Sequence, residues 1–336
     1  MITIPSPYLL FLGDVAGPLD AKTGFGLLHW QRSRCLGQWR QPGCGVDLGI
    51  PDMTAVEACA AGARTLVIGV APFGGSFAPA WIEAIVAALD AGLDVASGMH
   101  TRLGSIPAIA DAAKRAGRTL FDVRFADRSF DVASGRKRTG RRLLTVGTDC
   151  CVGKKYAALS ITAELWRRGQ SATFRATGQT GILIAGEGVA IDAVVSDFVA
   201  GAAEALSPDN EPAHWDVIEG QGSLFHPAYA GVSLGLLHGS QPDAIVVCHD
   251  PLRAHLDGYA DFPVVSVQHC ADANLEAARL TNPGVRFAGV ALNTSTLSPG
   301  ARDGFLEDMA QRLGVPCFDP IATGAGDLVA GLLDFT

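Results

Sequence analysis

The residues best suited to chemistry lie in one stretch, LLTVGTDCCVGKK. Here Gly147, Thr148, Asp149, Cys150, Cys151, Val152, Gly153 and Lys154 separate an apolar run from a helix-forming run, YAALSITAELWRRG. Glycines at 147 and 153 let a loop turn successive N–H groups inward. A helix start adds partial positive charge, and Lys154 adds a full one. A strand, a loop of this kind and a helix together cradle phosphates. One position departs from the loops of nucleotide hydrolases, which follow the lysine with Ser or Thr so that a hydroxyl ligates magnesium. Lys155 stands there instead, and an ammonium repels a divalent cation. The expected ligand is therefore a polyphosphate bound without metal, and no metal site is expected. Coenzyme A, with its pyrophosphate and ribose 3′-phosphate, has that chemistry.

Two further polar segments belong with this loop. Thr177-Gly178-Gln179-Thr180-Gly181 follows an apolar strand, and Glu219-Gly220-Gln221-Gly222-Ser223 follows WDVI. Phosphate-loop proteins often carry their second acidic residue after such a strand, so Thr177, Gln179 and Glu219 join the candidate cofactor-binding residues with 147–155.

The elements that must hold these loops read as α/β. Strands are expected at residues 8–13, 65–69 and 94–98, separated by helices at 54–61, 79–91 and 106–116. Thr54 with Glu57 makes a capping box, and Pro79 suits a first helical turn. A polar, basic connection at residues 127–142 places a boundary, giving domains of 1–135 and 136–336. The second domain alternates strands at 143–146, 172–176, 216–219, 244–248, 264–267, 286–292 and 315–318 with helices including 154–168 and 303–313. Both halves then form open, mostly parallel sheets with helices on both faces, whose ligands lie beyond the carboxyl ends of the strands.

Composition agrees. The 336 residues suffice for two domains, and 48% hydrophobic against 18% charged residues lets each bury a core. A net charge of -8 repels nucleic acid and anionic membranes. The run Arg136-Lys137-Arg138 with Arg141 and Arg142 reads as a solvated linker. No apolar run reaches the roughly 18–20 residues that span a bilayer, and the start lacks a signal peptide, so a cytoplasmic protein with a small-molecule substrate is expected. The eight cysteines show no CxxC pair and read as reduced thiols. His249 and His255 lack metal-ligand spacing. The segment GVSLGLLHG suits a subunit contact as well as a core helix, and a homo-oligomer is expected.

The motifs GTDCCVGKK, RATGQTGILIAGEGVAIDAVVSDFVAGAAE, HWDVIEGQGSLFHPAYAGVSLGLLHG and GVALNTS together resemble a family long described as a domain of unknown function. FLGDVAGPLDAKTGFGLLHW, DLGIPDM, TLVIGVAPFGG and SGMHTRL extend that resemblance over nearly the whole chain. It implies a Rossmann-like N-terminal domain and a P-loop C-terminal domain similar to dethiobiotin synthetase, which also opens with Gly-Thr-Asp…Gly-Lys. The subgroup most similar is the D-glutamate N-acetyltransferases, which implies transfer of an acetyl group from acetyl-CoA to a D-amino acid. Dethiobiotin synthetase carries Thr after its lysine; Lys155 departs from it. An ATP-dependent ligase or kinase, and a nucleotide-binding regulator without turnover, are the competing classes.

N-acetylation needs a deprotonated amine, a nearby thioester and donors for an oxyanion. Asp14, Asp47 and Asp52 are the carboxylates of the first domain that suit an amine. Asp47, in the apolar and glycine-flanked GVDLG, is chosen as amine-binding residue or general base; a carboxylate bonded to turn amides fits the same residues. The two carboxylates of glutamate call for cations, with Lys22, Arg32 and Arg102 as candidates. Arg102 is preferred over His100 because the acid–base step already has a candidate.

Overall fold

The computed structural model describes residues 4–18, 20–70, 77–125 and 129–334. Residues 71–76, which include the end of the TLVIGVAPFGG motif, and 126–128, which include the start of the basic connection, lie outside the described residues. The chain divides into two compact units, one of Met1–Asp127 with Gly178–Ala190 and one of Arg128–Thr177 with Ile191–Thr336. A single cut after residue 135 therefore differs from the observed division in two segments: residues 128–135, which cluster with the second unit, and Gly178–Ala190, which clusters with the N-terminal residues.

The first unit runs β1 (Tyr8–Gly13), α1 (Lys22–Trp30), β2 (Cys35–Arg40), α2 (Ala55–Ala60), β3 (Thr65–Ile68), α3 (Pro79–Asp90), β4 (Asp94–Ser97), α4 (Pro107–Ala116) and β5 (Leu120–Asp122). Its five strands are parallel in the order β2-β1-β3-β4-β5. The YLLFLG run of β1 is buried at every residue, as a strand covered on both faces must be. Each Leu or Phe so buried contributes roughly 1.5–3 kcal/mol. Thr54 caps α2 with the expected reciprocal bonds to Glu57, and Pro79 opens α3.

The second unit runs β6 (Arg141–Gly147), α5 (Lys154–Arg167), β7 (Ala172–Arg175), then α7 (Val199–Leu206) once the chain has left α6 (Gln179–Ala185) in the first unit. It continues with β8 (Trp215–Ile218), α8 (Ala230–Ser240), β9 (Ala244–His249), β10 (His255–Leu256), β11 (Tyr259–Pro263) and α9 (Val267–Arg279). β12 (Arg286–Leu292), α10 (Pro299–Leu313), β13 (Cys317–Phe318) and α11 (Gly326–Leu333) complete it. Six parallel strands form its sheet in the order β13-β12-β9-β6-β8-β7, and β10 and β11 make a separate antiparallel hairpin. From β6 the chain runs outward to β7, returns to β8 and then crosses to β9 on the other side of β6. The order reverses at the carboxyl ends of β6 and β8, the place where open α/β sheets bind ligands.

Two expectations are corrected, and a third segment is resolved as a helix. Residues 264–267 are not a strand: Ser266 accepts a bond from His269 N and the chain enters α9 at Val267, so a local cap overrides the β-branched pattern. The basic connection is not simply solvated. Arg142 is fully buried and donates to the carbonyls of Arg138, Thr139 and Pro208, and Arg138 is buried with Nη2 on Gly239 O at 2.7 Å. Arg136 and Lys137 pair with Asp209 and Asp243. This run straps the start of the second unit to α8 and to the loop after α7. The segment GVSLGLLHG is helix α8, which packs on α7; a Cβ at Gly239 would stand 2.0 Å from Ala200 O, so glycine there permits the close approach.

All eight cysteines are free. No helix among the described residues is long and apolar enough to cross a membrane.

Candidate functional site

Strand β6 ends at Gly147, and the loop that follows keeps its register one residue further through Thr148 N on Cys248 O of β9 at 3.1 Å. Left-handed backbone at Cys151 (φ 53°) and Gly153 (φ 97°) then turns the chain into α5. Gly153 caps that helix without a side-chain hydrogen bond, so the first amides of α5 retain their anion-seeking character toward the loop. Gly147 is required by its neighbours: a Cβ there would lie 3.1 Å from Lys154 Nζ and 2.9 Å from Val152 Cγ2. Lys154 is only 7% exposed, and its Nζ donates to Asp149 O at 2.7 Å. The loop thus folds around its own ammonium. Lys155 differs from it: it is half-buried, with Nζ 5.1 Å from the centre of the Tyr156 ring.

Beneath the loop lies a carboxylate with no exposure. Asp149 Oδ1 accepts from Cys150 N at 2.6 Å, and Oδ2 accepts from Arg253 Nη1 and Asp257 N, each at 2.8 Å. The same Arg253 Nη1 donates to Cys150 O at 2.7 Å. Thr148 Oγ1 lies 3.0 Å from His249 Nδ1, and burial holds the His249 imidazole below its ordinary range. Arg253, Asp257 and His249 escape sequence reasoning because they come from the end of β9 and the segment after it, about a hundred residues downstream. Their one local signal is a polar HDPLRAHLDG stretch at a strand's carboxyl end.

The ends of β7 and β8 close the other side. Thr177 is fully buried, with its N–H on Glu219 Oε2 at 3.0 Å and its hydroxyl donating to Glu219 O at 2.6 Å. Gln221 Nε2 donates to Thr177 Oγ1 at 3.1 Å. Gly220 meets the phosphate loop directly: its N–H donates to Thr145 Oγ1 at 2.9 Å, and a Cβ on it would stand 3.1 Å from Lys154 Cδ. Residues 147–155, Thr177 and Glu219 are therefore brought to the carboxyl edge of one sheet. Gln179 is not part of that unit; it opens α6 in the first one, with its side chain against Gly98. That helix is held to α1 by the hydroxyls of Thr23 and Thr180, 2.9 Å apart.

Among the described residues Asp149, Cys150 and His226 bring one possible metal-ligand atom each within 4.8 Å of one another. Their chemistry does not suit a cation. The Asp149 carboxylate already serves three donors, one of them a guanidinium, and burial pushes the Cys150 thiol up to about 12. His226 Nδ1 accepts from Ala228 N at 3.2 Å, which leaves its proton on Nε2 toward Asp257 O.

In the first unit, the sequence candidates separate. Asp47 follows β2, at the carboxyl edge of the sheet, but its apolar surroundings do not bury it: the side chain is 58% exposed. Its Oδ1 accepts from Gln38 Nε2 at 2.8 Å and from Gly49 N at 2.7 Å. Arg40 lies 3.5 Å from Asp47 and forks onto Asp52. Bonds from Gln38 and Gly49 hold the Asp47 carboxyl below the usual range, so the group is an ionised acceptor and a weak base. Gln38 itself is buried and also accepts from Leu48 N at 2.8 Å, which fixes the GVDLG loop. Asp14 accepts from Trp81 Nε1 at 2.8 Å. Lys22 is exposed at the start of α1, and Arg102 stacks on Phe125 at 4.1 Å after β4. Both follow carboxyl ends of strands. Arg32 does not: it precedes β2, on the opposite edge from Asp47, and its Nη1 donates to Cys35 O at 3.1 Å.

Comparison with known proteins places these features. Residues 131–329 match the model described as a domain of unknown function (DUF1611_C), P-loop domain, and residues 34–126 match the DUF1611_N Rossmann-like domain. A protein of Tritonibacter scottomollicae named D-glutamate N-acetyltransferase is 49% identical over 329 residues, covering 98% of this chain and 99% of its own. A Pseudoalteromonas protein of the same name is 45% identical with the same coverage. The crystal structure of a DUF1611-family protein from Anabaena variabilis superposes with a TM-score of 0.89 at 31% identity, covering 98% of this chain and all of that one.

Proposed function

This chain belongs to the DUF1611 family, and we propose that it is an N-acetyltransferase that moves the acetyl group of acetyl-CoA onto the amine of D-glutamate. The observation that carries the reading is the paired lysine at the start of α5, in a chain 49% identical to a D-glutamate N-acetyltransferase over nearly its full length. Lys154 and the amides of residues 147–155 supply a cradle for the pyrophosphate of the donor. Lys155 supplies a second charge where a nucleotide hydrolase needs a magnesium ligand.

The reaction forms one C–N bond and breaks one C–S bond. The neutral amine attacks the thioester carbonyl, the tetrahedral oxyanion collapses, and the thiolate of coenzyme A leaves and takes up a proton. Asp47 enters this scheme as the residue that holds the amine rather than the one that deprotonates it, because its carboxyl sits below the usual range. Lys22 and Arg102 are the cations proposed for the substrate's carboxylates. Arg32, on the opposite edge of the sheet, is the weakest of the three candidates.

The test mixes acetyl-CoA and D-glutamate with the protein in EDTA and follows free thiol. Release of coenzyme A with formation of N-acetyl-D-glutamate is expected, at a rate unchanged by added magnesium. Magnesium-dependent ADP formation from ATP, with no thiol released, would replace this reading by a ligase or kinase of the dethiobiotin-synthetase type.

A further inference from the structure

We infer that Arg253 is a positioning residue that keeps the phosphate loop receptive to an anion. The inference deepens the proposed function and rests on its reading of residues 147–155 as a polyanion cradle.

An anion-binding loop faces two electrostatic problems. Its carbonyl oxygens must turn away from the ligand, and any carboxylate beneath it must be neutralised. Both problems arise here. Asp149 is completely buried inside the loop, and a bare charge there would oppose every phosphate that approached. The carbonyls of Asp149 and Cys150 lie in the same stretch as the amides that must receive the anion. Lys154 engages the first carbonyl at 2.7 Å. Arg253 deals with the rest: one nitrogen bonds both the Asp149 carboxylate, at 2.8 Å, and the Cys150 carbonyl, at 2.7 Å.

The guanidinium is itself held in place. Asp250 lies 3.9 Å from its other terminal nitrogen. The chain just beyond it returns to the loop, where Asp257 N donates to the second oxygen of Asp149. Between these points runs the start of the β10–β11 hairpin, with Leu256 buried and Asp257 O 3.3 Å from His226 Nε2. His226 is in turn stacked on Tyr229 at 4.7 Å and set edge-on to Tyr259 at 4.9 Å. Arg253 thus reaches the loop from a braced segment. Its own side chain is 20% exposed, and the nitrogen that faces the loop is engaged by Asp149 and Cys150, so that nitrogen acts on a ligand through those two residues.

The test is calorimetric titration of the full-length protein with inorganic pyrophosphate and, separately, with acetyl-CoA, in Arg253→Ala and Arg253→Lys. Arg253→Ala should bind pyrophosphate at least tenfold more weakly, about the effect of one lost charge-assisted bond. Arg253→Lys keeps the charge, but its shorter, non-planar head reaches the two oxygens less well, and it should fall between the wild type and Arg253→Ala. In activity assays the KM for acetyl-CoA should rise while that for D-glutamate stays put, which a general loss of structure would not produce. Pyrophosphate binding equal to wild type in Arg253→Ala overturns the inference. If that variant does not fold, Arg253→Lys decides: severalfold weaker binding with an unchanged unfolding midpoint supports the role, and unchanged binding overturns it. Wild-type protein that binds pyrophosphate but ignores acetyl-CoA would remove the proposed donor and leave the role of Arg253 standing. Wild-type protein that binds neither would remove both.

Discussion

The ammonium of Lys154 donates to the carbonyl oxygen of Asp149, five residues earlier in the same loop, at 2.7 Å. This contact folds the loop over its own cation at the start of α5, whose N-cap Gly153 offers no side-chain bond to the first amides. Removing the ammonium should cost a polyanion about 1.5–3 kcal/mol, the range for a bond to a charged group, or about tenfold to a hundredfold in affinity. Lys154→Ala should therefore show that loss for acetyl-CoA in calorimetry. Lys154→Arg should not restore it, because Gly147 leaves its Nζ little room: even a Cβ at Gly147 would come within 3.1 Å.

Gly220 offers a sharper packing test. A Cβ there would stand 1.7 Å from Thr145 O and 3.1 Å from Lys154 Cδ, and the first of these is backbone that cannot step aside. Gly220→Ala should destabilise the second unit by about 3 kcal/mol or more, or prevent folding, with denaturant unfolding as the measure. Gly304→Ala is the matched control. It lies within α10 with nothing within 4 Å of its Cβ, so the same change should stabilise by about 0.5–1 kcal/mol.

What could be read in the sequence divides along range of interaction. The β6–loop–α5 unit was legible because every part of its signal is local: an apolar run, two glycines at turn positions, a lysine at a helix start. Helix α6 was not, because its seven residues sit in a Gly-rich stretch and its partner, α1, lies some 150 residues away. Thr23 and Thr180 look unrelated until the fold joins them. Arg253 was invisible for the same reason. The burial expected at Asp47 fails for a different reason. Its apolar neighbours suggested burial, yet Val46 and Leu48 turn inward while Asp47 turns out, an alternation that could have been read from GVDLG. The basic run at 136–142 is misleading because charge suggests solvent, whereas arginines 138 and 142 satisfy carbonyls inside the unit.

Asp47 supports a prediction about pH. Bonds from Gln38 and Gly49 lower its folded pKa, so its contribution to stability is complete above the unfolded value of about 3.9 and disappears as pH falls through the lower folded value. An acid limb of kcat/KM near neutral pH should therefore survive unmoved in Asp47→Asn, even where the height of the profile falls. A limb that vanishes in that variant would restore Asp47 to the role of proton acceptor. Gln38→Leu should reproduce part of the loss in activity, since it removes the amide that fixes both Asp47 and Leu48 N.

Glu164 controls the other end of the helix that presents Lys154. It accepts from Arg167 Nε and Nη2, both at 2.6 Å, and from Arg168 Nε at 2.7 Å, while Arg168 Nη2 reaches Gly326 O at 2.7 Å and ties α5 to α11. The bonds from Arg167 and then Arg168 lower the Glu164 carboxyl from 4.5 to about 2. Its stabilising effect is therefore whole above pH 4.5, declines as the unfolded chain begins to hold the proton more tightly than the folded one, and is gone near pH 2. Glu164→Gln should flatten the acid arm of the stability curve in that window. It should also loosen α11, visible as faster amide exchange at Leu328 and Val329, which are buried in the wild type. Acetyl-CoA affinity at neutral pH should change less than in Lys154→Ala, because Glu164 lies nearly three turns from the phosphate loop. An acid arm identical to that of the wild type would mean that the two arginines hold Glu164 no better in the folded chain than water does in the unfolded one.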